Sequence, residues 1–207
     1  VFCRITVRMK KKYFCILLLI FFSLHVCTFS QQSILDSLSH ELETLQEKPQ
    51  TISRDTSKLF ILVALSEECE MPQILRYAMP ASEIADSLLV QFPSGRIRDI
   101  ILTQKAQAIN NIGFFYMNLG NNSKALNYYD QSLKINETLS KSSDKKTALD
   151  GKYGVAYSLH NTAYVYDTYG DIPKALEYYH RSLKIKEEIG NKQSIALSLN
   201  NIGHIYQ

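Results

Sequence analysis

Between residues 100 and 207 the hydrophobic and small positions recur with a helical period. Ile109, Ile112, Gly113 and Tyr116 fall at i, i+3, i+4 and i+7, which is one face of a helix. Leu159, Thr162, Ala163, Tyr166 and Leu199, Ile202, Gly203, Tyr206 repeat that face. A second stripe follows the first two copies: Ala125, Tyr129, Ser132 and then Ala175, Tyr179, Ser182. Gly120 and Gly170 stand between the stripes, where glycine ends a helix by taking the left-handed conformation cheaply. Asn121 and Asp171 come next as N-caps, and Pro173 sits in a first turn where its missing N–H costs little. The pattern predicts pairs of helices. The small residues let two backbones approach, and the tyrosines fill the gap between neighbouring pairs.

The pairs are copies of one another. Asn-Ile-Gly-Phe-Phe-Tyr at 111–116 matches Asn-Thr-Ala-Tyr-Val-Tyr at 161–166 and Asn-Ile-Gly-His-Ile-Tyr at 201–206, so the spacings are 50 and 40 residues. The blocks at 124–135 and 174–185 agree at nine of twelve positions, which chance does not produce. Such repeats cannot bury their apolar faces alone and stack side by side. The expected fold is all-α, a solenoid of antiparallel helix pairs over 96–207.

Upstream the repeat decays. Leu59, Leu62, Ala64, Leu65 and Cys69 suggest a first helix, and Ile74–Ala78 with Ala81 and Ala85 a second, which Pro80 is expected to kink. Residues 55–95 read as a degenerate first repeat closed by the loop at Phe92–Gly95. Ile34, Leu35, Leu38, Leu42 and Leu45 mark an amphipathic lead-in helix within 31–54. At the other end, residues 193–207 supply one helix with no partner for its stripe. The expectation is an N-terminal portion of a longer protein.

The spacing resembles the tetratricopeptide repeat: large–x2–Leu–Gly–x2–Tyr, then Ala–x3–Phe/Tyr–x2–Ala. Glu137 and Glu187 stand where that family closes with proline, and the period is about 40 rather than 34. The phrase from Lys184 through Gly203 is similar to the longer repeats of exported bacterial sensor proteins. The resemblance implies a right-handed superhelix whose concave groove is lined by first helices. By position the groove residues are Gln107, Asn110, Phe114 and Met117; Tyr157, His160, Tyr164 and Asp167; and Leu197, Asn200 and His204. In some members of the family, asparagine and lysine clamp a peptide carboxylate there. Phe114, Tyr164 and His204 take the clamp asparagine's place and no lysine is among these residues, so an extended or helical peptide with apolar side chains suits the surface better.

Composition changes the picture at the N-terminus. Of 23 basic residues five lie in 1–30, which hold no acid, leaving 18 basic against 20 acidic residues for the remainder. No basic tract remains there, which argues against nucleic-acid binding. Lys10–Lys12 precede the apolar run Phe14–Phe22, and the small residues Thr28 and Ser30 follow. This reads as a secretory signal cut after Ser30. An uncleaved anchor over the uncharged stretch 13–35 is the alternative, and Cys27 as a lipid-anchor site is a third reading. Met9 is the expected start, with residues 1–8 a translation artefact. Cys69 is then the lone thiol, expected to be an inert core residue.

No glycine-rich phosphate loop, Gly-x-Ser-x-Gly, His-Glu-x-x-His or paired-cysteine site occurs. No catalytic residue, metal or cofactor is called for. The repeating Asn111, Asn161 and Asn201 lie beside the packing face and, if buried, need hydrogen-bond partners. The reading is an exported scaffold that binds a protein or peptide. By resemblance it is the periplasmic sensory part of a membrane signalling protein whose output is a histidine kinase, a nucleotide cyclase or a helix-turn-helix regulator. The alternatives are a free-standing or lipid-anchored periplasmic scaffold, and regulatory repeats of an enzyme with its catalytic domain beyond residue 207. Membrane association would run through the N-terminus or a later span.

Overall fold

The computed structural model describes residues 31–49 and 51–206. The export signal, the anchor alternative's first half and Cys27 therefore lie outside the described residues. Among the described residues there are helices and turns and no strand. Helix α1 covers 31–46. It is followed by α2 (Ile52–Glu68), a short 3-10 turn (Met71–Gln73), α3 (Ile74–Gln91), α4 (Gly95–Asn118), α5 (Asn122–Leu139), α6 (Lys145–Tyr169), α7 (Ile172–Ile189) and α8 (Lys192–Ile205).

Local chemistry sets the boundaries. Thr51, Asn121, Asp144, Asp171 and Asn191 each accept a hydrogen bond from the backbone N–H three residues on, capping α2, α5, α6, α7 and α8. That satisfies donors the helix itself leaves orphaned. Gly170 and Gly190 close α6 and α7 with φ of 84° and 79°, and Gly120 turns the chain after α4 with φ of 73°. The cap at Thr51 starts α2 at Ile52, three residues before the expected boundary. α3 runs through Pro80 without a break.

Each helix packs on the next, and α2, α4 and α6 also touch in succession along one face. This is the solenoid. Ala125 and Ala175 are fully buried at the helix crossings, and so are Tyr129 and Tyr179. Tyr129 reaches across to Val165 of the next pair. A Cβ on Gly113 would come within 2.7 Å of the Tyr129 ring, so the glycine is required by the ring. Tyr116 and Tyr166 occupy equivalent seams. Each is half-buried, stacked at 5.6 Å on Tyr128 or Tyr178, with Lys124 or Lys174 over its outer face.

The N-terminal pair is built differently. Ala78, Ala81 and Ala85 are fully buried along α3, where α5 places Tyr129, Ser132 and Asn136. Leu59, Leu62 and Val63 fill the space from α2. Leu45 of α1, with Leu35, Leu38 and Leu42, covers Ile61 and Leu65 on the outside. Cys69 is half-buried against Ile74, Ala78 and Ile112.

The unequal spacings have a simple cause. α4 and α6 begin sixteen residues before Asn111 and Asn161, whereas α8 begins nine residues before Asn201. Five residues connect α5 to α6 and two connect α7 to α8. Two extra helical turns and three extra linker residues make up the ten-residue difference. The extra turns are not idle, since they wall the groove described below.

At the far end the expected packing is absent. Gly203 has open space where a Cβ would stand, and Leu199 and Tyr206 are 53% and 70% exposed. No helix among the described residues lies on that side of α8, so Gly203 and Tyr206 do not act as packing residues here. Ile202 is buried, held by α7.

Candidate functional site: a groove along the first helices

The faces of α2, α4 and α6 enclose a groove of about 650 Å³ floored by α5. Ser132 and Asn136 form the floor, and Gln104, Gln107, Asn110 and Asn111 line the α4 wall. Lys146, Asp150, Tyr153 and Tyr157 line the α6 wall, the first two from its N-terminal extension, and Glu67 closes the α2 side. The extension is held close to α5 by two glycines. A Cβ on Gly151 would run into the backbone of Leu139 and Ser140, and one on Gly154 into the amide of Asn136. Loss of hydration, with Glu68 beside it, raises the Glu67 carboxyl above its usual value. The groove is thus rich in amides and hydroxyls, with few charges.

A ladder of hydrogen bonds ties its walls together. Asn111 Nδ2 donates to Ser66 Oγ at 2.9 Å, Asn161 Nδ2 to Asn110 Oδ1 at 3.0 Å, and Asn201 Nδ2 lies 3.3 Å from His160 Nε2. Each repeating asparagine bonds the preceding first helix, which is why the residue recurs. Behind this ladder runs a second one. Ser132 Oγ donates to the Ala106 carbonyl and Ser182 Oγ to the Ala156 carbonyl, at 3.0 and 2.7 Å. These hydroxyls replace water at carbonyls that the close helix crossing has desolvated.

The next seam, between α6, α7 and α8, repeats this arrangement with one change. Where the first seam has Asn136, Nδ2 donating to Ser132 Oγ at 3.2 Å, the second has Lys186. Lys186 is 3% exposed. Its Nζ donates to Ser198 Oγ at 2.7 Å and lies 3.5 Å from His160 Nδ1. Burial pushes the amine down to about 8. Burial, and then the Lys186 charge, hold the His160 imidazole down at about 4. The edge of the His160 ring meets Tyr179 at 5.2 Å between centroids.

The residues expected to line the groove separate into four groups. Gln107, Asn110 and Tyr157 lie on it. Phe114, Tyr157, Tyr164 and Leu197 are exposed apolar side chains of α4, α6 and α8, at 42%, 53%, 43% and 53%. Asn200 and His204 are exposed and Asp167 is half-buried. Two residues serve inside the scaffold. Met117 packs beside Ala125 and Tyr129, its Sδ 3.8 Å from the Tyr129 hydroxyl. His160 is tied to Lys186 and Asn201. Sequence reasoning missed Glu67, Asn136, Lys146, Asp150 and Tyr153: Lys146 and Asp150 come from a helix extension, Asn136 from a second helix, and Glu67 and Tyr153 from first-helix positions outside those read as groove-lining. It also missed Lys186, although the stripe Ala175, Tyr179, Ser182 reaches it four residues later. Among the described residues no cluster of His, Cys, Asp and Glu could hold a metal ion. Nor is any helix there long and apolar enough to cross a membrane.

Stacked helix pairs with first helices along one face define a helical-repeat scaffold. Residues 104–188 match the tetratricopeptide repeat family, and this stretch consists of tetratricopeptide repeats. Repeats of this family are non-catalytic and generally mediate contacts between proteins. No curated protein matches the chain.

Proposed function

We propose that the chain binds a peptide segment of a partner protein along α2, α4 and α6. The observation that carries this is the groove of about 650 Å³, flanked on α6 by the exposed rings of Tyr157 and Tyr164. Exposed aromatic side chains next to fixed amides are the composition of a peptide-recognition surface: the rings supply area, the amides bond the main chain. Peptides selected from a displayed library against the purified protein test it. By titration calorimetry Tyr157→Ala and Tyr164→Ala should each weaken a selected peptide about tenfold, with the melting temperature unchanged. Lys134→Ala, on the exposed face of α5, should do neither. Equal losses of binding and stability would place both tyrosines in the scaffold and end the proposal.

For location we propose export, and by the resemblance of the repeats a sensory role in a larger membrane signalling protein. The basic start and apolar run at 10–22 support it. A reporter enzyme active only outside the cytoplasm, fused after residue 207, should be active with residues 1–30 present and inactive without them.

A further inference from the structure

The second seam contains an arrangement that the first does not. Lys186 and His160 are both basic, lie 3.5 Å apart and come from different helices, and α8 supplies Ser198 and Asn201 to them. The groups placed against this pair are Tyr179 on α7 and Ser198 and Asn201 on α8, none of them anionic. Among the described residues no carboxylate bonds to His160 or Lys186. Asp167 acts on the Tyr179 phenol, and Glu188 pairs with Lys152 at 3.8 Å on the outer surface. His204 of α8 is exposed and is not among the partners of either group. Two cations cannot share such a site without an anion, so the seam holds only while one of them is uncharged.

We propose that the His160–Lys186–Ser198 contact is an acid-sensitive latch: acidification loosens α8 from the α6–α7 pair and withdraws Leu197, Asn200 and His204 from the concave face. The directions agree with this. The folded imidazole sits at about 4, below its ordinary 6.5, so the histidine's share of the contact is at full strength above about pH 6.5 and weakens as pH falls toward 4. The first seam, with Asn110 and Asn136 in the equivalent places, has no such group to titrate. The consequence for partner binding rests on the proposed groove; the loosening itself does not.

Amide hydrogen exchange of the whole chain tests the latch, with rates corrected for the intrinsic effect of pH. Between pH 7.5 and 5, protection of α8 should fall on the order of tenfold more than that of α4 and α5. His160→Asn, which copies Asn110, should remove the difference. If α8 of that variant is unprotected already at pH 7.5, Lys186→Met serves instead: without the cation beside it His160 charges more easily, and α8 should release at lower pH than in the wild type. Equal pH response of α8 and α4–α5 overturns the latch, as does a variant whose α8 releases at the wild-type pH.

Discussion

The two central seams share a design and differ at one buried polar position, Asn136 in the first and Lys186 in the second. In one, Asn136 lies against Gly154 and Ser132; in the other, Lys186 reaches Ser198 beside His160. An amide satisfies itself with neutral neighbours at little cost. An ammonium in the same place keeps its charge only against desolvation, and its amine is held at about 8. The repeat therefore fixes where a polar group must stand, and leaves open which one. That choice separates a seam with amides at these two places from one with two basic groups there.

The comparison can be broken in several ways, the largest first. Gly151→Val should cost roughly 3 kcal/mol, because α6 touches the α5 backbone there and backbone cannot move aside; a melting temperature near wild type would mean the helices are further apart. Asn136→Lys should cost about 2 kcal/mol in chemical denaturation, since it puts an ammonium at a site that is 6% exposed, where an amide bonded to Ser132 now sits. A neutral result would show that the seams are interchangeable. Lys186→Met runs the other way. It removes a desolvated charge and loses one hydrogen bond, so a gain of about 1 kcal/mol is expected at pH 7, and a loss would mean the ammonium has a partner of greater worth than Ser198. The smallest effect belongs to Tyr129→Phe. Among the described residues its hydroxyl bonds to Met117 Sδ alone, at 3.8 Å, so denaturation should shift by no more than about 0.5 kcal/mol.

Much of the framework was legible because it is local. The caps at Asn121 and Asp171, the left-handed glycines at 120 and 170, and the Ala–Tyr–Ser stripes are properties of one helix or one turn. The groove was legible only in part. Gln107 and Tyr157 follow from the position of a repeat in its helix. Lys146 and Asp150 do not, because they belong to two turns added before the repeated motif begins. Met117 and His160 sit on the right helices, but neighbours claim them: the Tyr129 hydroxyl for one, Lys186 and Asn201 for the other. Pro80 shows the reverse case, where packing of Ala78, Ala81 and Ala85 keeps a helix continuous through a residue that disfavours it.

The amino-acid order by itself determined that helices form in pairs, where they start and stop, and which stripe of each turns inward. Period, caps and glycine conformations act over a few residues and need no partner. Only the tertiary structure decided that Asn111, Asn161 and Asn201 bond backward along the stack, that Gly151 and Gly154 let an extended α6 wall a groove, and that Lys186 faces a histidine with no acid nearby. Those outcomes depend on which surfaces meet across as many as 51 residues of chain, and burial there sets the cost of each polar group.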